Sequence, residues 1–152
     1  MAGNEVHNKI DPIQFEVVRS ALTQVTEEMA AALRRSAYST NVKTRQDFSC
    51  AFFDRNCKPI SQAFTQPVHL GSFVELIPTS VEAYGAENLQ PGDMLVVNNP
   101  FGGGSHLNDV TVFGPVHHQN ELIGYVASLA HHVDVGGGAP ASPGSGPVWR
   151  RG

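Results

Sequence analysis

Asp109-Val-Thr-Val-Phe-Gly-Pro-Val-His-His-Gln-Asn-Glu121-Leu-Ile-Gly-Tyr-Val-Ala-Ser-Leu-Ala-His131 is the stretch whose reading decides the fold. Two runs rich in β-branched and aromatic residues, Val110–Val116 and Leu122–Leu129, flank the polar segment His117–Glu121. That pattern predicts a β-hairpin with His117 and His118 in a solvent-facing turn. In an antiparallel hairpin the end of the second strand lies beside the start of the first. Asp109 opens the first strand, and His131-His-Val-Asp134-Val-Gly-Gly follows the second, so the fold brings these groups together. Neighbouring residues on a strand point to opposite faces, so one of His131 and His132 faces Asp109 and the other does not.

Just upstream lies Gly102-Gly-Gly-Ser-His106-Leu-Asn-Asp109. Imidazole and carboxylate donors at short spacing on a bendable backbone are what a divalent metal site requires. A lone His-x-x-Asp is more often a turn cap beside a surface histidine. Convergence with the second cluster shifts the balance toward metal binding. His106, Asp109, His131, His132 and Asp134 are therefore the candidate ligands. Imidazole and carboxylate without thiolate suit zinc, manganese or iron(II), acting as a Lewis acid. The glycine run is not read as a phosphate loop, because a strand follows it and no lysine accompanies it. Its glycines are expected to allow close approach of substrate or metal.

Working outward, Asp11-Pro12 reads as a helix start, with Asp as N-cap and Pro at the first helical position. Val18, Leu22, Val25, Met29 and Leu33 recur on one face, predicting a helix over 12–37. Phe48–Phe53 and Lys58–Ala63 read as a hairpin over 48–63. Phe73, Leu76, Ile77 and Val81 suit a second helix after Gly71, interrupted by Pro78 and ending near Gly85. Pro91-Gly-Asp is a turn, and Met94–Val97 a buried strand. Helix, hairpin, helix and then three strands make an α+β fold: a long N-terminal helix, antiparallel strands and a Gly/Pro-rich tail. Residues 1–10 are expected to be disordered and 11–135 to form part of a domain. More than half of 136–152 is Gly and Pro, which predicts a flexible tail. Two further residues are candidate catalytic groups. His69 lies in a loop before the second helix, and Asp47, whose default role is an ion pair with Arg45, lies just before the aromatic strand.

Composition narrows the function. The chain has 152 residues, enough for one domain with a core. Charged residues make up only 16% and the net charge is -4, so no basic surface exists to bind nucleic acid. No apolar run approaches the ~18 residues that cross a bilayer. Cys50 and Cys57, with no leader to an oxidising compartment, are read as reduced thiols of a cytoplasmic protein.

Several segments in order carry a family resemblance. Asp11-Pro-Ile, Leu33-Arg-Arg-Ser-Ala-Tyr-Ser and Asp47-Phe-Ser-Cys-Ala-Phe-Phe-Asp resemble the hydantoinase B/oxoprolinase family. So do Pro67-Val-His-Leu-Gly-Ser, Pro91-Gly-Asp, Asn98-Asn-Pro-Phe-Gly-Gly-Gly-Ser-His-Leu-Asn-Asp-Val-Thr-Val and His131-His-Val-Asp-Val-Gly-Gly. The resemblance runs over about residues 10–145. It implies a B-type subunit or domain of an ATP-dependent enzyme that opens cyclic amides such as hydantoin or 5-oxoproline. An A-type partner subunit would use the ATP. Relatives include subunits of acetone and acetophenone carboxylases, so a carboxylase subunit is the alternative, with an inactive remnant that only binds a partner as a third. The resemblance places metal ligands on His106, Asp109 and one of His131 or His132. Two departures stand out. Asn99 occupies a position where the family often has Asp, and Gly146-Pro-Val-Trp-Arg-Arg-Gly departs from the pattern, as a truncated or frameshifted end would.

Overall fold

The computed structural model describes residues 11–136. The expectations for 1–10 and for nearly all of the Gly/Pro-rich tail lie outside these residues. Helix α1 spans Pro12–Ser36, and a short helix α2 spans Thr40–Lys43. Strands β1 (Phe48–Asp54) and β2 (Pro59–Gln62) follow, then helix α3 (Pro67–Tyr84). Strands β3 (Leu95–Val97), β4 (Asp109–His118) and β5 (Glu121–His131) complete the chain. All five strands form one antiparallel sheet in the order β2-β1-β5-β4-β3. The α+β expectation holds, with α1 on one face of the sheet and α3 on the other.

The β4–β5 hairpin is tighter than its sequence suggested. His118 already pairs with Glu121, leaving Gln119-Asn120 as a two-residue loop with both φ angles positive, +48° and +67°. That geometry matches the right-handed twist of paired strands, and Asn tolerates it well. His117 is consequently drawn into the ladder and half-buried, while His118 is exposed.

Alternation along the strands sorts the sheet into two faces. Ala51 and Phe53 on β1, Phe113 on β4, and Tyr125, Ala127 and Leu129 on β5 pack against Phe73, Ile77 and Val81 of α3. Phe48 and Cys50 face the other way, with Ala30, Val42 and Ala63, and Met29 and Leu33 of α1 close around them.

Three details differ from the sequence reading. The side of α1 that meets the sheet is centred on Thr26 and Ala30, while Val18 and Val25 are exposed. Small side chains let the helix approach closely, and the Thr26 hydroxyl lies 3.1 Å from that of Ser61 on β2. Helix α3 begins at Pro67 rather than after Gly71, so His69 sits in its first turn instead of a loop. Proline at the first helical position has its φ preset and no N–H to waste, whereas Gly71 inside a helix costs only about 1 kcal/mol. Finally, β3 is an edge strand and not a buried one, with Met94 and Val96 turned to solvent.

The sheet also fixes the chemistry of the cysteines. Cys50 and Cys57 are both free thiols, and burial pushes Cys50 up to about 12, with Glu27 adding to the effect. The thiolate is the reactive form, so in the folded chain Cys50 is expected to resist iodoacetamide at pH 8 and to react once the chain is unfolded in denaturant. Mass spectrometry of the alkylated protein reads this directly. Rapid native alkylation of Cys50 would mean that α1 does not stay docked on the sheet.

Candidate metal centre

Three chain segments end side by side at one edge of the α3-facing side of the sheet. Asp109, the first residue of β4, pairs with His131, the last of β5. The His131 N–H donates to the carbonyl of Asp47, just before β1, at 3.0 Å. Odd-numbered residues of β4 and β5 face α3, so Asp109 and His131 point into the layer that α3 covers. His69, in the first turn of α3, lies over them: its Nε2 is 3.5 Å from Asp47 Oδ1 and 3.7 Å from Asp109 Oδ2.

His106 arrives by a different route. The Asp109 N–H donates to the His106 carbonyl at 3.0 Å, closing a tight turn. This curl between residues three apart brings His106 Nε2 to 3.0 Å from Asp109 Oδ1. His131 Nδ1 is 2.9 Å from the same oxygen and 3.0 Å from His106 Nε2. Two imidazole nitrogens and one carboxylate oxygen thus form a small triangle, and the Ser105 hydroxyl donates to the other oxygen, Asp109 Oδ2.

The triangle fits a divalent ion. Metal–ligand bonds of about 2.0–2.1 Å place neighbouring donors about 2.8–3.0 Å apart in octahedral and about 3.3–3.4 Å apart in tetrahedral geometry, and these spacings of 2.9–3.0 Å agree with the former. Without a cation, the facing nitrogens form a hydrogen bond in which one carries the proton and the other accepts it. The floor of the site is buried: side-chain exposure is 2% for Asp109, 3% for His69 and 9% for His131. His106 at 41% and Asp47 at 32% form the open rim.

The remaining sequence candidates lie elsewhere. His132 and Asp134 are exposed and outside the donor group. Alternation turns the His132 side chain away, and Asp134 Oδ1 instead accepts the Gly136 N–H at 2.8 Å. The glycines also serve another purpose. At Gly103, with φ +95°, a Cβ would lie 2.6 Å from the Leu76 nitrogen, and at Gly104 it would lie 2.7 Å from the Asn99 carbonyl oxygen. They let the loop press on α3 and on itself. Asn108, Ser105 and Ser49 carried no sequence signal, being common polar residues without a motif. Yet Asn108 is fully buried and donates to the His132 carbonyl at 2.8 Å, tying the turn before β4 to the end of β5.

Electrostatics follow from the packing. Burial by itself raises the Asp109 carboxyl. Hydrogen bonds from Ser105 and His131, with His106 and His69 nearby, outweigh it and hold the group below its ordinary value. His69 is shifted down from 6.5, chiefly by burial, which the nearby Asp109 and Asp47 only partly offset. Below about pH 6.5 the unfolded chain therefore binds a proton at His69 that the folded chain refuses, so stability falls as pH drops through that window. We expect the metal-free chain to lose stability between pH 7 and pH 5 and His69→Leu to flatten that dependence. Urea unfolding at both pH values measures it. An equal loss in the variant would assign the effect to another group.

No helix among the described residues is long and apolar enough to cross a membrane. The family model for hydantoinase B/oxoprolinase matches residues 11–149. The chain is 40% identical over 147 residues to 5-oxoprolinase 1 of Arabidopsis thaliana, covering 95% of this chain and 12% of that protein. It is 35% identical over 139 residues to a protein of Pseudomonas sp. (strain NS671) named as a D-/L-hydantoinase B-type subunit, covering 90% and 24% respectively. Among solved structures it is similar to the ATP-dependent caprolactamase of Pseudomonas jessenii, with a TM-score of 0.79 and 33% identity over 88% of this chain and 23% of that one. The chain therefore spans between about an eighth and a quarter of these relatives. With the matched segment running through α1, the whole sheet and the His106–Asp109–His131 donor triangle, the chain belongs to the hydantoinase B/oxoprolinase family.

Proposed function

We propose that this chain carries the metal centre of an ATP-dependent enzyme that hydrolyses cyclic amides of the hydantoin or 5-oxoproline type. The observation that carries the reading is the triangle of His106, Asp109 and His131, whose donor atoms lie 2.9–3.0 Å apart on a buried floor with an open rim. A divalent ion held there, zinc, manganese or iron, supplies Lewis acidity that polarises a carbonyl or lowers the pKa of water. Asp109 contributes the negative charge that balances the cation, and His106 and His131 contribute neutral nitrogens. Asp47, the part-exposed carboxylate at the rim, is placed to take a proton at its Oδ1 from a nucleophile entering from the open side.

ATP is assigned to an A-type partner subunit. The glycine run follows a 3₁₀ turn at Pro100–Gly102 and leads on to β4, rather than to a helix N-terminus that could cradle phosphates. The chain's small share of its relatives supports reading residues 11–135 as one part of a larger domain. The two free thiols support a reducing, cytoplasmic setting.

The test is metal content followed by turnover. The purified chain, stripped and reloaded, is expected to bind one zinc, manganese or iron ion, read by elemental mass spectrometry. With an A-type subunit and ATP, it should release the opened product from hydantoin, 5-oxoproline or a lactam. Substoichiometric metal at every ion tested would sink the metal assignment, and metal without ring opening of any of these substrates would sink the hydrolase assignment.

A further inference from the structure

We propose that Thr65, Ser49 and His69 form a hydrogen-bond relay that positions Asp109 for the cation. The inference rests on the metal reading above and concerns residues that do not belong to the donor triangle. Ser49, on β1 and fully buried, lies one rung in from the site on the same face. Its hydroxyl is 3.2 Å from His69 Nδ1, and the Thr65 hydroxyl donates to it at 3.0 Å. Ser49 and His69 are buried and Thr65 is half-buried, and burying such polar groups is costly unless each is satisfied.

The direction of the protons follows from charge. His69 Nε2 faces two carboxylate oxygens, Asp47 Oδ1 and Asp109 Oδ2. A bare nitrogen lone pair in that position would face negative charge from both sides, so Nε2 carries the proton. Nδ1 is then the acceptor and must receive the Ser49 hydroxyl hydrogen. Ser49 has one other acceptor within reach, the Gln66 carbonyl at 3.2 Å. Gln66 is the N-cap of α3, and the carbonyl of an N-cap residue already receives the first helical N–H. Thr65 completes the chain by donating to Ser49.

The consequence falls on Asp109. Its Oδ2 takes the Ser105 hydroxyl from one side and faces the His69 N–H on the other. With the Ser105 hydrogen bond on one side and the His69 N–H, at 3.7 Å a dipolar contact rather than a hydrogen bond, on the other, the carboxylate is held so that Oδ1 points at His106 and His131. His69 is thus a positioning residue acting through Asp109. Groups behind metal ligands typically change metal affinity by about 10–100-fold when removed, because they fix ligand orientation and basicity.

Three readouts on the full 152-residue chain test this. Ring nitrogen NMR of the metal-free parent should show His69 as the Nε2–H tautomer, and Ser49→Ala should shift the ring toward a mixture. In zinc titrations against a chelator, His69→Leu should weaken binding by about 10–100-fold. His69→Gln, which keeps an N–H at similar reach, should recover part of that loss, and cobalt(II) loaded in place of zinc should show an altered visible band in the Leu variant. Should His69→Leu fail to fold, Ser49→Ala carries the zinc titration. An Nδ1–H tautomer in the parent overturns the relay. So do folded variants that bind zinc like the parent. A parent chain that binds no zinc overturns the metal reading instead, and the tautomer still decides the relay.

Discussion

Asp109→Asn is expected to abolish tight metal binding while leaving the sheet folded. Asp109 is the hub of the site: both histidine nitrogens meet at its Oδ1, and Ser105 and His69 address its Oδ2. Asparagine keeps the shape and removes the charge, so the cation loses its only anionic donor in the triangle. Its amide must also aim an NH2 at either the histidine nitrogens or the Ser105 hydroxyl. Removal of a group that only supports a ligand costs about 10–100-fold, so loss of the ligand itself should exceed ~100-fold. A zinc competition titration measures this, with a melting curve to show that the fold persists. Retention of affinity within tenfold would remove Asp109 from the metal site.

The same substitution has an acid signature. The Asp109 carboxyl is held below its ordinary value of 3.8, so its charge stabilises the folded chain at higher pH. That contribution is present above the unfolded value and is lost as pH falls through the depressed folded one. The metal-free Asn variant should therefore lack a component of acid destabilisation below about pH 4 that the parent shows.

Phe53→Ala is expected to cost about 3–5 kcal/mol of folding stability, the largest loss from a residue outside the site. Phe53 is fully buried on β1, and its ring meets that of Phe73 on α3 edge to face, with centroids 5.9 Å apart. Truncation removes this contact and leaves a cavity between the sheet and α3 that strands on both sides prevent from collapsing. Urea unfolding of the metal-free chain reads the loss, and a midpoint shift worth less than about 1 kcal/mol would mean that α3 repacks freely on the sheet. Since α3 carries His69, a loosened interface should also weaken zinc binding, linking the core to the site.

How far the sequence could be read is clearest at particular residues. The β4–β5 hairpin was legible because alternating apolar residues on either side of a polar turn have few other ways to be buried. Its register carried Asp109 to His131, and the sequence could say that only one of the two adjacent histidines would face it. It could not say which one. Parity sorts residues into two sets without labelling the face that will be covered, and α3, far away in sequence, made that choice. Strand order was equally hidden: β3 looks like a core strand in isolation, yet among the described residues it is an outermost strand with Val96 exposed. His69 was misplaced in a loop because Gly71 weakened the helical pattern while Pro67 was its true start.

By itself, then, the sequence determined the elements, the α+β class and the convergence of a histidine-aspartate turn with the end of a strand. These depend on periodicity, turn chemistry and antiparallel pairing, all of which act over short stretches of chain. Only the tertiary structure put His131 rather than His132 beside Asp109, left Asp134 exposed, and brought His69 to within 3.7 Å of the Asp109 carboxylate. Those outcomes depend on which helix covers which face of the sheet, and that is settled by the burial of Phe53, Phe73 and their neighbours rather than by any local pattern.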